Sequence, residues 1–123
     1  MSLIRLISKA LTDTLSEFLP THLSLVSTQL FRLIHNQPNP FSKNIKAILL
    51  GGSAISKDLI VKGFQIGLPL FTSYGLTEMA SQVTTTSSNF TQNERFTSGK
   101  QLPQRTLRFS AKSEIEVKGP CLF

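Results

Sequence analysis

Cysteine occurs once in the 123 residues, as Cys121. That excludes an intrachain disulfide and any zinc site built on cysteines alone. A reducing, cytoplasmic setting fits the scarcity. The two histidines, His22 and His35, stand far apart in sequence and lack metal-ligand spacing. Tryptophan is absent. Charge is sparse at 16% of residues, and acids are the scarcer sign, seven against thirteen bases, for a formal +6. Such an excess attracts anions, from nucleotides and CoA to nucleic acid and acidic lipid. The bases form no run, however, and the clustered stripe with aromatic platforms expected of a nucleic-acid binder is missing. Chain outside these residues that carries balancing acids would also explain the imbalance. Long apolar runs are lacking too. No segment nears the ~18 apolar residues of a membrane span. Arg5, Lys9, Asp13 and Glu17 interrupt the opening stretch, which excludes a secretory signal, and the two acids argue against a transit peptide.

What is present is an ordinary globular composition, 40% hydrophobic with nine Phe, enough for one domain core. Leu3, Ile4, Ile7, Leu11 and Leu15 recur at helical spacing and predict a first helix ending before Pro20. Residues 21–26 alternate and predict a strand. Ser27 or Thr28 is expected to cap a helix over 29–34, and residues 36–40 to form a loop. The apolar run 45–50 ends at Gly51-Gly52, the pattern of a buried strand feeding a tight turn. Ser56 with Asp58 marks a helix start, Leu59, Ile60 and Phe64 its buried face, and Gly67 its end. Residues 68–73 form the next strand. The order strand–helix–strand–helix–strand argues for parallel βαβ units of an α/β domain. Residues 84–89 are polar and expected to form a surface loop. Residues 107–109 and 114–117 alternate about a short polar link and predict a hairpin. Residues 1–100 are therefore expected to form a partial α/β nucleotide- and acyl-binding subdomain. Residues 101–123 are expected to begin a β-rich one, cut off at the apolar end Leu122-Phe123.

In open α/β sheets ligands sit beyond the carboxyl ends of the strands. Two turns are expected there. Tyr74-Gly75-Leu76-Thr77-Glu78 brings together a ring able to stack on a purine, a glycine permitting close approach, a hydroxyl able to donate to phosphate, and a carboxylate able to hold Mg²⁺. The plainer reading is a turn with Gly75 left-handed and Thr77 capping a helix, with Glu78 in its first turn. Gly51-Gly52-Ser53 ends the preceding strand. Side by side, the two turns would wall one pocket.

These elements carry a resemblance. The "LLGGSAIS" loop (49–56) followed by "SYGLTEMASQV" (73–83) resembles the adenylate-forming superfamily of acyl- and aryl-CoA synthetases, luciferases and peptide-synthetase adenylation domains. "SGKQLP" with "EIEVKGPCLF" resembles its "GKPLPG … GEIxVKGP" stretch, and "THLSLVSTQLFRLI" its "VPTQLxRLL" element. The four matches fall in family order. Within the superfamily, "THLSLV", "TEMASQV" and "GPCLF" are most similar to the o-succinylbenzoate–CoA ligase branch of menaquinone synthesis. The resemblance implies an AMP-forming acid–CoA ligase using ATP, Mg²⁺, CoA and a small-molecule acid. It implies that Tyr74 stacks on adenine, that Gly51, Gly52 and Ser53 line the adenine and acyl pocket with Gly75 beside the nucleotide, and that Thr77 meets the α-phosphate. Glu78 would ligate Mg²⁺, and Ser81 and Gln82 would lie near the acid.

Two residues depart from the family pattern: Ser27 replaces a usual proline and Gln104 a usual glycine. The family's phosphate loop, ribose-binding aspartate and lysine-bearing C-terminal domain are not found in these residues. The chain by itself is thus expected to be inactive and to associate with the missing segments or with itself. Three other readings remain open here: a ligase for another acyl or aryl acid, a non-catalytic nucleotide- or partner-binding remnant of a split gene, and a basic nucleic-acid binder.

Overall fold

The computed structural model describes residues 10–36, 43–89 and 91–122. Leu3, Ile4 and Ile7 of the predicted first helix, and the predicted loop at 37–40, lie outside them. Two units make up the chain, Met1–Leu70 and Phe71–Phe123.

The first unit is built on a βαβ element. Helix α1, Ala10–Phe18, stops where Leu19 takes a left-handed φ of 44° ahead of Pro20, as the sequence predicts. Strand β1 (His22–Leu25) pairs in parallel with β2 (Ala47–Leu50), His22 opposite Ala47 and Leu25 opposite Leu50. Helix α2, Ser27–Asn36, makes the crossover between them. It begins two residues earlier than expected and by a different device. Val26 O accepts from Gln29 N–H and Leu30 N–H, while Gln29 Oε1 accepts from Val26 N–H at 2.9 Å. This reciprocal pair seals the helix without a serine or threonine cap, because the Gln29 side chain reaches back over one turn.

Helix α3, Lys57–Gln65, follows expectation: Ser56 Oγ accepts from Leu59 N–H, and Asp58 lies in the first turn near the positive end of the helix dipole. Gly67 N–H to Phe64 O and Leu68 N–H to Gly63 O close its far end. Leu25, Leu30, Ile48 and Leu50 are almost wholly buried and pack with Leu15, Leu33 and Leu59 into one apolar cluster. Each such side chain contributes about 1.5–3 kcal/mol on leaving water. Thus the α/β class read from the sequence is the one observed.

The second unit contains no α-helix among its described residues. Strand β3, Leu70–Leu76, carries the chain into it and pairs antiparallel with β4, Ser81–Thr85. Strand β5 (Lys100–Gln101) pairs antiparallel with β4. The predicted hairpin forms as β6 (Thr106–Phe109) and β7 (Ile115–Lys118). Two expectations fail here. Strand β3 runs three residues past Ser73, so Tyr74, Gly75 and Leu76 are strand rather than loop. The expected surface loop at 84–89 begins instead inside β4, with Thr84 and Thr86 buried. Composition misled because threonine is polar yet β-branched, which suits a pleated surface. Its hydroxyls are also satisfied: Thr84 Oγ1 donates to Ser98 O at 2.7 Å, and Thr86 Oγ1 accepts from Thr72 N–H at 2.9 Å.

Gln104, where the resemblance leads one to expect glycine, has a left-handed φ of 61°. A side chain in that region costs about 1–2 kcal/mol, partly offset by the greater freedom glycine loses on folding. Gln104→Gly is therefore expected to raise stability by roughly 0.5–1 kcal/mol, read as a higher urea midpoint at unchanged slope.

Candidate functional site

The turn after β2 is tied to the end of β1. Gly51 N–H donates to Leu25 O at 3.2 Å, which prolongs the parallel ladder by one rung. Gly52 has φ 81°, and a Cβ there would stand 3.3 Å from Val26 Cγ1, so both backbone conformation and space favour glycine. Ser53 Oγ lies 3.1 Å from Ser27 Oγ. The turn therefore occupies the carboxyl ends of two neighbouring parallel strands, where open α/β sheets take ligands. Beside it opens a cleft of about 490 Å³ lined by Ser27, Thr28, Phe31, Arg32, Ala54, Ser56 and Leu59. That volume suits a small molecule, and hydroxyls and a guanidinium beside phenyl and isobutyl groups suit one with an apolar body and an anionic end. The sequence does not mark Thr28, Phe31 and Arg32 as site residues. Their i, i+3, i+4 spacing puts them on one face of α2, opposite the buried Leu30 and Leu33, and that was the available signal.

The second motif folds into one hairpin: β3, a single 3₁₀ turn Thr77–Met79, and β4. It brings Tyr74, Gly75, Thr77, Glu78, Ser81 and Gln82 together, with Gly75 opposite Gln82 and Leu76 opposite Ser81. A bulge between Tyr74 and Gly75 shifts the register there. Met79 is fully buried and anchors the turn from below. Thr77 and Glu78 are exposed, and neither side chain has a hydrogen-bond partner among the described residues. Of the plainer sequence reading, two parts fail: Gly75 is not left-handed, and the capping position of the 3₁₀ turn is Leu76, with no side-chain cap, although Glu78 does lie in the first turn. Two non-glycine residues, Ala80 (φ 57°) and Ser81 (φ 143°), close the motif in strained conformations. Strain held in place by surrounding structure clusters at functional sites.

Gly75 has a role that the sequence did not reveal. A Cβ on it would meet the Ser81 carbonyl oxygen at 2.1 Å and Gln82 Cα at 3.0 Å. The close approach is to the neighbouring strand, so this glycine is needed to form the hairpin at all. Gly51, Gly52 and Ser53 belong to the first unit and the remaining candidates to the second.

No group of three or more His, Cys, Asp or Glu side chains that could hold a metal occurs among the described residues. A lone exposed carboxylate such as Glu78 nevertheless fits Mg²⁺, which usually keeps waters and takes one or two carboxylates together with substrate phosphates. Among the described residues no helix is long and apolar enough to cross a membrane.

Comparison with known proteins bears on these features. The profile of the AMP-binding enzyme family matches residues 3–115. A 2-succinylbenzoate–CoA ligase of Listeria monocytogenes is 34% identical over 100 residues, covering 81% of this chain and 21% of that protein. The corresponding ligase of Escherichia coli K12 is 49% identical over 63 residues, 51% of this chain and 13% of that one. Among solved structures, o-succinylbenzoate coenzyme A synthetase from Bacillus subtilis in complex with ATP and magnesium ion superposes with a TM-score of 0.82 at 28% identity, over 96% of this chain and 26% of that one. The chain thus spans between an eighth and about a quarter of the length of the relatives it matches.

Proposed function

Because the chain belongs to the AMP-binding enzyme family, we propose that it forms part of an ATP-dependent acid–CoA ligase that activates o-succinylbenzoate for menaquinone synthesis in the cytoplasm. The observation that carries the reading is the β3–β4 hairpin, which presents the Thr77 hydroxyl and the Glu78 carboxylate exposed, and unpartnered among the described residues, just beyond Tyr74. Unpaired polar groups held on a strained, anchored turn are poised to meet a ligand rather than the protein itself.

The roles are those that the family resemblance implies, and the chemistry of the side chains suits them. Tyr74 stacks on the adenine of ATP and Gly75 gives the nucleotide room. Gly51, Gly52 and Ser53 line the adenine and acyl pocket. The Thr77 hydroxyl donates to an α-phosphate oxygen, and Ser81 and Gln82 lie against the acid. Glu78 is the residue that would hold Mg²⁺, which when bound neutralises phosphate charge. In the first half-reaction a carboxylate oxygen of the acid bonds to the α-phosphorus, and the bond to the bridging oxygen breaks, releasing pyrophosphate and leaving an acyl-adenylate. In the second, the CoA sulfur bonds to the acyl carbon as AMP departs with the electron pair, giving the thioester. Little of this needs covalent help from the protein, so positioning and charge stabilisation carry the rate. Thr77 and Glu78 are the groups for that.

The test uses the full ligase polypeptide that carries this segment. With ATP, Mg²⁺ and CoA, o-succinylbenzoate is expected to drive pyrophosphate and AMP release with a higher kcat/KM than fatty or other aryl acids. The 123-residue polypeptide alone is expected to show no turnover. Preference for a different acid would replace the proposed substrate, and release from the short polypeptide at full rate would refute the assignment of roles.

A further inference from the structure

The first residue of α2 carries a hydroxyl that the helix does not use. Val26 and Gln29 already seal the helix start through the Val26 carbonyl and the Gln29 side chain. Ser27 is consequently the first helical residue, one past the capping position, and its Oγ is free to turn outward. It meets Ser53 Oγ at 3.1 Å across a sequence separation of 26 residues. The contact is the outermost of three successive ties between the end of β1 and the turn after β2. The others are the Gly51 N–H to Leu25 O bond and the packing of Gly52 against Val26. Ser27 also lines the cleft of about 490 Å³ together with Arg32 and Ser56.

We propose that Ser27 is a positioning residue that sets specificity for the acid, acting through Ser53. The inference rests on the reading above that Ser53 lies against the acyl group. In a hydroxyl–hydroxyl pair one O–H donates to the other oxygen, so the pair keeps one proton to offer outward. Ser27 lines the cleft and Ser53 stands in the turn beside it, so the bonded pair presents a single fixed donor next to the cleft. That favours acids with an acceptor oxygen beyond the reacting carboxylate, a keto or second carboxylate group, over plain hydrocarbon acids. Without Ser27, the Ser53 hydroxyl rotates freely and that donor is no longer aimed.

Ser27 occupies a position where fold and positioning can be separated. Proline is preferred at the first helical position, since its missing N–H is one the helix leaves unpaired anyway. The residue before it, at the capping position, normally has the extended backbone that a following proline requires. Ser27→Pro therefore removes the hydroxyl without breaking the helix.

The experiment measures steady-state kinetics and Tm of the full ligase polypeptide carrying Ser27→Ala, Ser27→Pro, Ser27→Thr, Ser53→Ala or the double change Ser27→Ala/Ser53→Ala, with o-succinylbenzoate as the acid. Loss of one neutral hydrogen bond corresponds to roughly a 2- to 12-fold change. Ser27→Ala and Ser27→Pro are expected to raise KM for the acid by that factor, with kcat and KM for ATP within about 2-fold of wild type. Tm of Ser27→Pro stays level or rises, and Ser27→Thr restores the KM. The double variant matches Ser53→Ala alone, because the two hydroxyls act as one unit. A wild-type KM in Ser27→Ala and Ser27→Pro overturns the proposal, as do effects of Ser27→Ala and Ser53→Ala that multiply. A wild-type KM in Ser53→Ala also overturns it, while leaving the ligase reading intact. A parent polypeptide that releases no pyrophosphate with any acid overturns both.

Discussion

Glu78→Gln in the full ligase polypeptide is expected to lower kcat for acid-dependent pyrophosphate release by a factor on the order of 10²–10³, the usual loss when one preorganised charge-stabilising group is removed. Glutamine has nearly the same shape, so the 3₁₀ turn Thr77–Met79 and the buried Met79 beneath it keep their places. What disappears is the negative charge, and with it the hard anionic oxygen that Mg²⁺ prefers over an amide. Half-maximal activity should then require a higher Mg²⁺ concentration than in the wild type, a shift that a purely structural lesion would not produce. The wild-type Glu78 carboxylate is exposed and makes no hydrogen bond among the described residues, so its replacement breaks nothing in the fold. Glu116→Gln is the matched control. Its carboxylate pairs with Arg108 on the β6–β7 hairpin surface, an exposed contact of small energetic weight, and kcat should hold. Full activity in Glu78→Gln at ordinary Mg²⁺ would remove Glu78 from the metal role.

Gly75→Ala is expected to be the most damaging single-methyl change in the second unit. The added Cβ would lie 2.1 Å from Ser81 O and 2.8 Å from Ser81 C. Both obstacles are backbone, and Ser81 is already strained at φ 143°, so no flexible side chain can yield. Relief requires β3 and β4 to separate at the Gly75–Gln82 and Leu76–Ser81 pairs. Overpacking of this kind costs about 3 kcal/mol or more, a large share of the roughly 5–15 kcal/mol that holds a domain folded. Urea unfolding should show the midpoint fall, and amide exchange should speed up at Ser81 and Gln82 before the βαβ element of the first unit is affected. Ser81→Ala, which adds nothing toward Gly75, should leave exchange near wild type. An unchanged midpoint in Gly75→Ala would show that the strands are not as close as described.

These two residues also show how far the sequence could be read. Glu78 stands out in the sequence through the Tyr74–Glu78 run and the family resemblance that run carries, and the metal role proposed for it rests on both. Gly75 is also needed for a reason that its neighbours along the chain do not show. The sequence suggests room for a ligand, and the fold adds a demand from the Ser81 carbonyl six residues on, a contact created only when the strands pair. The sequence offers Ser27 or Thr28 as the cap of α2, and neither is. Nothing in the neighbours of Ser27 announced that Gln29 would reach back to Val26 N–H and release the serine hydroxyl toward Ser53. The polarity of Thr84 and Thr86 suggests the surface, because the partners that satisfy their hydroxyls come from distant residues.

Sequence alone determined the features that depend on neighbours along the chain. These include the Ser56 cap of α3, the halt of α1 before Pro20, the buried strand leading into Gly51-Gly52, the β6–β7 hairpin, and the order of motifs that marks the family. Each follows from backbone preference or apolar spacing within a few residues. Tertiary structure decided what depends on atoms brought together from a distance: the Ser27–Ser53 pair, the cleft between α2 and α3, the burial of the Thr72, Thr84 and Thr86 hydroxyls, and the strand contact that forbids a Cβ at residue 75. Hydrogen bonding and steric exclusion act over a few ångströms, and only the folded chain sets which groups come that close.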